Sequence, residues 1–414
     1  MKFLVVGKGA REHAIAWKLA QNNKIDKIFV IPGNDGITKE EKCETLDIRS
    51  IDEILKFAKK EDINLTFVGS EEYLAQGIVD KFNETNLKII GPNKYSTQLE
   101  SSKVFAKNFM KKYNVQTADY QSFEELNLAI EYINKTEHPL VIKADGLAAG
   151  KGVYISESVE ESEEAIKELM KSKQFKEAGK RIVIEKYLEG FEASLFFLLD
   201  GKNYQFLTVS KDHKKLLEGD SGPNTGGMGA ITPHPEVDEN LLKSIEKKII
   251  KPTITGLKKE NLFYKGILYI GLMIEENEPY VLEYNVRLGD PETQSILYLL
   301  KSDFFQILKD IYEGELNQTK IEFYNGYSVC LVLSSEGYPY SYTTGEKILI
   351  GESCTSKIFY AGVEKEKENN YLVTNGGRVL SLVSRAKTID EARNKVYKDA
   401  GKVFFSSKYY RKDI

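Results

Sequence analysis

The chain has 414 residues, more than one hydrophobic core usually organises, so roughly two to four domains are expected. A hydrophobic fraction of 41% and a charged fraction of 29% are those of a globular protein, and no run of about eighteen apolar residues is present to span a bilayer. A formal charge of -4 without a dominant basic block argues against a nucleic-acid surface, while leaving room for a local patch that binds a small anion.

The N-terminal apolar run, Phe3 to Val6, is too short for a signal peptide. Cys43, Cys330 and Cys354 lie far apart and lack the spacing of a disulfide framework or a zinc site. A cytoplasmic protein without membrane attachment is therefore expected. Residues 2–91 alternate β-rich runs with amphipathic stretches, the βαβ rhythm of a parallel sheet covered by helices. Strands are predicted at 2–6, 27–31, 65–69 and 88–91, and helices at about 11–22, 51–61 and 71–83. Gly91-Pro92-Asn93 punctuates the chain, and a connecting helix follows at 101–113, which places the first boundary near 101. A smaller α/β unit at 119–187, with strands at 140–144 and 181–188, has the size of a mobile subdomain. Several strands follow to about 322. A β-rich segment with a last helix near 388–402 completes a small C-terminal domain.

Five stretches carry chemistry. Gly7-Lys8-Gly9-Ala10-Arg11-Glu12-His13 joins a strand to a helix, where exposed N–H groups and the helix dipole favour a phosphate. The third glycine of a dinucleotide fingerprint is replaced by Glu12, and Arg11 adds a cation, so a phosphorylated substrate is expected rather than NAD. A strand-end Lys143 precedes the small-residue loop Ala149-Gly150-Lys151-Gly152, which suits polyphosphate but is no P-loop, because Gly152 stands where Ser or Thr is required. Glu185-Lys186-Tyr187-Leu188 with Glu192 is a strand end that could read an adenine edge and ribose hydroxyls. Half of such acidic strand ends are simply solvated.

Asp212-His213-Lys214 leads into a loop with Gly226, Gly227, Met228 and Gly229, rich in backbone donors for a polar or anionic ligand; a disordered linker is the alternative. The densest group is Glu283-Tyr284-Asn285-Val286-Arg287-Leu288-Gly289-Asp290-Pro291-Glu292. In a strand, Glu283, Asn285 and Arg287 share one face at period two, placing two oxygen ligands and a guanidinium side by side. Hard oxygen donors suit Mg²⁺ between nucleotide phosphates, and Arg287 suits charge developing in phosphoryl transfer. A structural Glu283–Arg287 ion pair is the alternative. Asp290-Pro291-Glu292 is expected to open a helix with proline at its first position.

Together these stretches resemble the phosphoribosylamine–glycine ligase family of the ATP-grasp superfamily across essentially the whole chain. The likeness rests on G-x-G-A-R-E-H-A at 7–14, V-I-K-A-D-G-L-A-A-G-K-G-V at 141–153, D-H-K at 212–214, G-P-N-T-G-G-M-G-A at 222–230 and R-L-G-D-P-E-T-Q at 287–294. T-N-G-G-R-V at 374–379 and the tail Y-R-K-D-I extend it. The resemblance implies an α/β and α+β multidomain fold: a Rossmann-like, doubly wound domain at 1–101, an ATP-grasp domain at 102–322 with its lid at 119–187, and a C-terminal domain at 323–414. It further implies ligation of glycine to 5-phospho-β-D-ribosylamine through glycyl phosphate, with ATP as co-substrate, Mg²⁺ or Mn²⁺ as cofactor, and a monomeric enzyme.

By the same likeness Lys103, Lys143, Ala149, Gly150, Lys151 and Gly152 would hold ATP phosphates, and Glu185, Lys186, Leu188 and Glu192 the adenosine. Glu283 and Asn285 would bind the metal. Arg287, Asp212, Lys214 and Asp290 would act in catalysis. Gly9, Arg11, Glu12, Gly226, Gly227, Met228, Gly229 and Glu292 would face phosphoribosylamine and glycine. Ala10 and Leu288 stand where relatives commonly carry glycine and phenylalanine.

Overall fold

The computed structural model describes residues 1–147, 152–172 and 176–414. Its N-terminal sheet has five parallel strands in the order Cys43–Thr45, Lys27–Pro32, Lys2–Gly7, Leu65–Val68, Ile89–Ile90. Phe3, Leu4, Val5 and Val6 are all buried, as expected of a central strand covered on both faces. The strand order reverses beside Lys2–Gly7, and the crevice at the carboxyl ends there is the usual ligand position in a doubly wound sheet. The short edge strand Cys43–Thr45 is absent from the sequence reading because three half-exposed residues carry no periodic signal. The helix expected at 71–83 is two, Glu71–Ala75 and Ile78–Glu84. Gly77 adopts φ +85° between them, a left-handed conformation that breaks the helical ladder.

Between residues 119 and 187, Tyr120–Phe123, Ile182–Lys186, Leu140–Ala144 and Val153–Ser156 form an antiparallel sheet in that order. Helices Leu126–Ile133 and Val159–Lys171 pack on it through Ile133, Ile142, Ile166 and Ile184. Strand alternation sends the intervening Lys143 and Glu185 to the opposite face, toward the centre of the molecule.

The central sheet begins with Glu278–Asn285 and Lys265–Glu275 and continues through Phe191–Asp200, Tyr204–Asp212 and Gly229–Thr232. It does not stop there. Gly229–Thr232 pairs antiparallel with Tyr327–Ser335, which pairs with Arg378–Ala386 and then Lys357–Tyr360. The C-terminal segment is thus built onto the same sheet, and its loops reach the far end of the central strands.

His13 ties the two ends of the chain together. The Tyr360 N–H donates to its Nδ1 at 2.9 Å, which leaves the proton on Nε2, donated to Glu40 at 3.0 Å. Lys357 pairs with the same carboxylate. The first helix, Ala10–Ala20, is therefore held from both sides.

Candidate active site

A cavity of about 540 Å³ opens where these units meet. Every unit contributes to its wall: Arg11 from the first helix, Lys103 from the connecting helix, Glu185 from the antiparallel sheet of 120–186, Lys214 and Glu283 from the central sheet and the loop after it, and Arg378 from the C-terminal strands.

The strand Glu278–Asn285 ends on this wall, with Arg287 two residues beyond it. Asn285 Nδ2 donates to Glu283 Oε1 at 3.4 Å, and Arg287 Nη2 donates to Asn285 Oδ1 at 3.2 Å, so the three side chains form the row expected from their spacing. The Glu283–Arg287 ion pair does not form. Arg287 pairs with Glu100 at 2.8 Å and Glu71 at 3.3 Å, while among the described residues the cation paired with Glu283 is Lys214 at 3.9 Å. Glu71 also pairs with Arg11 Nη2 at 3.1 Å. Burial opposes the Glu71 charge, but Arg287 and then Arg11 outweigh it and hold the carboxyl at about 2. Burial pushes Glu100 upward despite Arg287.

Proline does not open the next helix from its first position. The helix runs Glu292–Leu299, and Pro291 caps it at φ -105°, because the Gly289 carbonyl already accepts from the Thr293 N–H at 3.3 Å.

The first glycine loop departs from its expected use. The Gly9 N–H donates to Glu12 Oε2 at 2.6 Å, and an Arg11 backbone hydrogen bond reaches the Asp290 carboxylate. A Cβ at Gly9 would lie 3.1 Å from Glu12 Oε2 and 3.2 Å from Asp290 Oδ2, and one at Gly7 or Gly69 would overlap the Glu12 side chain. Two carboxylates thus occupy the helix N-terminus where a phosphate was expected. Gly9 and Glu12 lie behind the cavity wall, and Arg11 alone of that motif lines it.

Across the cavity, Lys143 and Lys107 both pair with Glu185 at 2.9 Å. Burial opposes the Glu185 charge, yet Lys143 and Lys107 together hold its pKa below the usual range. Burial brings Lys107 down to about 8. Lys107 escaped the sequence reading, although it lies one turn from Lys103 on the helix Lys103–Lys112. Asp145, just after the strand Leu140–Ala144, caps that helix, accepting from the Val104 N–H at 3.1 Å and Ser102 Oγ at 2.9 Å. Lys103 Nζ donates to the Gly146 carbonyl at 3.2 Å. Lys186 is exposed, with its N–H on the Asp119 carbonyl at 2.9 Å, and Leu188 is buried. Glu192 pairs with Lys214 at 2.7 Å. Gly152 accepts from the Ala144 N–H at 2.9 Å, whereas Ala149, Gly150 and Lys151 lie outside the described residues.

The loop after Asp212 is ordered. The His213 N–H donates to the Gly229 carbonyl at 2.9 Å, the Met228 N–H to the His213 carbonyl at 2.8 Å, and the Thr225 N–H to the Lys214 carbonyl at 2.8 Å. Gly227 has φ +110°, and a Cβ there would overlap Pro291. Met228 is fully buried in the C-terminal core, and Gly229 packs under the Cys330 carbonyl and Ile414. Of these four loop residues only Gly226 lines the cavity. It is held from the C-terminal side: its N–H donates to Tyr338 Oη at 2.8 Å, and Arg378 donates to its carbonyl and, at 2.7 Å, to that of Asp290. Tyr338, Tyr342, Arg378 and Tyr269 are cavity residues the motif reading passed over. The glycine pair preceding Arg378 was the available signal.

Burial, reinforced by the charge of Glu292, pushes the Asp212 carboxyl well above the carboxylate range. Burial opposes the charge on Lys214, but Glu192 and the other groups around it drive its pKa well above the ordinary lysine value.

Models of phosphoribosylglycinamide synthetase match the chain in three consecutive parts: the N domain over residues 1–100, the ATP-grasp (A) domain over 101–293 and the C domain over 328–414. The phosphoribosylamine–glycine ligase of Clostridium acetobutylicum is 50% identical over 414 residues, spanning 100% of this chain and 99% of that one. The crystal structure of the Thermotoga maritima phosphoribosylamine–glycine ligase matches with a TM-score of 0.88 at 38% identity, covering 100% of both chains. The biotin carboxylase domain of the Hydrogenobacter thermophilus 2-oxoglutarate carboxylase shares the fold, with a TM-score of 0.75 at 16% identity over 99% of this chain and 91% of that one. With a continuous full-length match and an ATP-grasp cavity assembled from all three parts, the chain belongs to the phosphoribosylglycinamide synthetase family.

Proposed function

We propose that the cavity joins glycine to 5-phospho-β-D-ribosylamine with cleavage of ATP to ADP and phosphate, forming glycinamide ribonucleotide for purine biosynthesis. Family membership makes the chain an ADP-forming carboxylate–amine ligase that uses ATP and a divalent metal. One arrangement supports the substrate-level reading: the Glu283–Asn285–Arg287 row, Lys103 and Lys107 line a single cavity, and Lys143 pairs with the cavity residue Glu185. The division of labour we infer is an N-terminal unit at 1–101, an ATP-grasp unit at 102–322 with a closing lid at 119–187, and a C-terminal unit at 323–414.

In this reading a glycine carboxylate oxygen attacks the γ-phosphorus, the bond to the β-phosphate oxygen breaks, and ADP leaves. The sugar amine then attacks the carbonyl carbon of glycyl phosphate, expels phosphate and gives up a proton. Lys103, Lys143 and the loop through Gly152 neutralise the polyphosphate, and Arg287 faces charge building on the transferring group. Lys186 and Leu188 offer backbone groups to adenine, with Glu192 toward the ribose. Arg11 and Gly226 face the phosphoribosylamine, while Gly9, Glu12, Gly227, Met228 and Gly229 fix the path of the wall. Lys214 and Asp290 flank the acyl group.

Glu283 and Asn285 fit a hard cation that takes its other ligands from phosphates and water. Among the described residues no cluster of three or more His, Cys, Asp or Glu offers a protein-only cage. A divalent ion there, Mg²⁺ with Mn²⁺ as substitute, would withdraw charge from the phosphate oxygens. By family likeness the enzyme is a monomer, and dependence on ATP suits the cytoplasm. The test is ADP release with Mg²⁺ and glycine, with and without phosphoribosylamine generated from ribose 5-phosphate and ammonia. ADP release requiring both substrates is expected, and no nucleotide cleavage under any combination would overturn the reading.

A further inference from the structure

The motif Tyr410-Arg411-Lys412-Asp413-Ile414 lines no part of the cavity and takes no part in the chemistry described above. Yet Arg411 is only 1% exposed, a costly place for a guanidinium unless hydrogen bonds satisfy it. Its Nε and Nη2 fork onto Asp413 Oδ1 and Oδ2 at 2.8 and 2.7 Å, which fixes the plane of the group. Its Nη1 then reaches another part of the chain, donating to the Lys215 carbonyl at 3.0 Å and to Asp220 Oδ1 at 2.7 Å.

Lys215 and Asp220 belong to a hairpin of Lys215–Leu217 and Ser221–Asn224, which among the described residues pairs with no further strand. A lone two-stranded ribbon is marginal in water. This one is fastened along its length by residues 409–414. Tyr409 Oη donates to the Leu216 carbonyl at 3.0 Å, the Gly219 N–H to Asp413 Oδ2 at 2.8 Å, and the Lys412 N–H to Glu218 Oε1 at 3.3 Å. The fastening segment is itself anchored on the core. Lys408–Tyr409 pairs with Tyr327–Ser335, and Tyr397 Oη of the helix Ile389–Ala400 donates to the Arg411 carbonyl at 2.9 Å and accepts from the Ile414 N–H at 3.0 Å.

Both feet of the hairpin are cavity residues. Lys214 precedes it and Thr225 follows, and the Thr225 N–H and Oγ1 close the base by donating to the Lys214 carbonyl at 2.8 and 2.7 Å. Gly226, the next cavity residue, continues from there. We propose that Arg411 is a positioning residue for the reaction: by locking the hairpin to the C-terminal core it sets the backbone of Lys214 and Gly226 in the cavity wall. The part taken by those two residues rests on the ligase reading given above. Arg411 acts only through the hairpin, since it touches no cavity residue itself.

The test sets Arg411→Ala beside Asp399→Asn, with urea unfolding, steady-state ADP release and amide exchange measured on each. Asp399 is equally buried in the C-terminal unit, but its partners, Thr355, Ser356 and Lys402, lie outside the hairpin. Arg411→Ala is expected to lose about tenfold or more in kcat/KM for glycine and to exchange the Thr225 amide about tenfold faster, whereas Asp399→Asn loses stability but keeps both within about threefold. Methylguanidinium at millimolar concentration should refill the space left in Arg411→Ala and restore part of its efficiency, which a general loss of structure would not allow. Equal kinetic losses in the two variants, or a Thr225 amide that stays protected in Arg411→Ala, would overturn the proposal. Should Arg411→Ala not fold, Tyr409→Phe removes only the bond to the Leu216 carbonyl; exchange at Thr225 about threefold faster is expected, and unchanged exchange would overturn the lock. Exchange needs no substrate, so a parent enzyme that couples ATP cleavage to another acid removes the choice of glycine, and the same comparison with that acid still decides the role of Arg411.

Discussion

Arg378→Met tests whether the C-terminal segment builds the active site or merely adjoins it. Arg378 donates to the carbonyls of Gly226 and, at 2.7 Å, Asp290, and its Nη1 lies 3.5 Å from Asp290 Oδ1. Charge-assisted hydrogen bonds contribute roughly 1.5–3 kcal/mol each. Water entering the cavity replaces part of that, leaving a net loss of about 3 kcal/mol in the order of the 226–229 loop. If loop order positions the substrates, the same energy maps onto about a 100-fold fall in kcat/KM for glycine, at about 1.4 kcal/mol per tenfold. Methionine keeps much of the apolar stem volume, so the packing against Tyr338 changes little. The assay is steady-state ADP release with each substrate varied in turn, accompanied by amide exchange at Gly226, whose N–H is bonded to Tyr338. Faster exchange there, a fall in glycine efficiency and an unmoved KM for ATP are expected. Arg378→Lys should recover only part of the loss, because both carbonyls accept from the one nitrogen Nη1, which lies a bond farther along the side chain than a lysine ammonium reaches. Full activity in Arg378→Met with a protected Gly226 amide would refute the reasoning.

Two further substitutions probe the buried charges. Glu185→Gln removes the carboxylate shared by Lys107 and Lys143, and breaking a buried ion pair costs about 3–5 kcal/mol. Because Lys107 already sits near 8, proton loss relieves the variant as pH rises, so its deficit in urea unfolding should narrow between pH 7 and 9; a constant deficit would count against the pairing. His234 accepts from the Glu236 N–H at 3.1 Å and faces the Glu192 carbonyl at 3.0 Å, which fixes it as the neutral ring, and burial lowers its pKa from 6.5 to about 4. A depressed histidine contributes stability that is full above the unfolded pKa and lost as pH falls toward the folded one. Between pH 7 and 5 that amounts to about 2 kcal/mol. His234→Gln should lose this part of the acid sensitivity, and an unaltered pH profile of unfolding would show that His234 does not titrate on unfolding.

What could be read in the chain was local and periodic. The βαβ rhythm of residues 2–91 encodes a parallel sheet because buried strands need continuous apolar runs. Period-two alternation in the strand ending at Asn285 places Glu283 and Asn285 on one face whatever lies opposite. Glycine-rich loops at strand ends likewise announced close approach of backbone to a ligand or to another wall. The composition of the motif around Glu12 is right for a phosphate turn, yet in this structure the Gly9 N–H donates to the Glu12 carboxylate. Whether the N–H groups of that turn stay free depends on where one side chain folds and on Asp290, nearly three hundred residues later.

By itself, then, the sequence determined the elements, the chemistry of their ends and the family likeness, because short-range sterics and burial periodicity are written residue by residue. Only the tertiary structure decided the partners. Arg287 chose Glu71 and Glu100 over Glu283, Arg378 came under the loop at 226, and His13 found the strand at 360. Each of these pairs joins groups from different elements, and charge alone does not select among the many carboxylates available. The selection is made when apolar faces pack and fix which buried ions share a wall, since an ion left unpaired there costs more than most single contacts return.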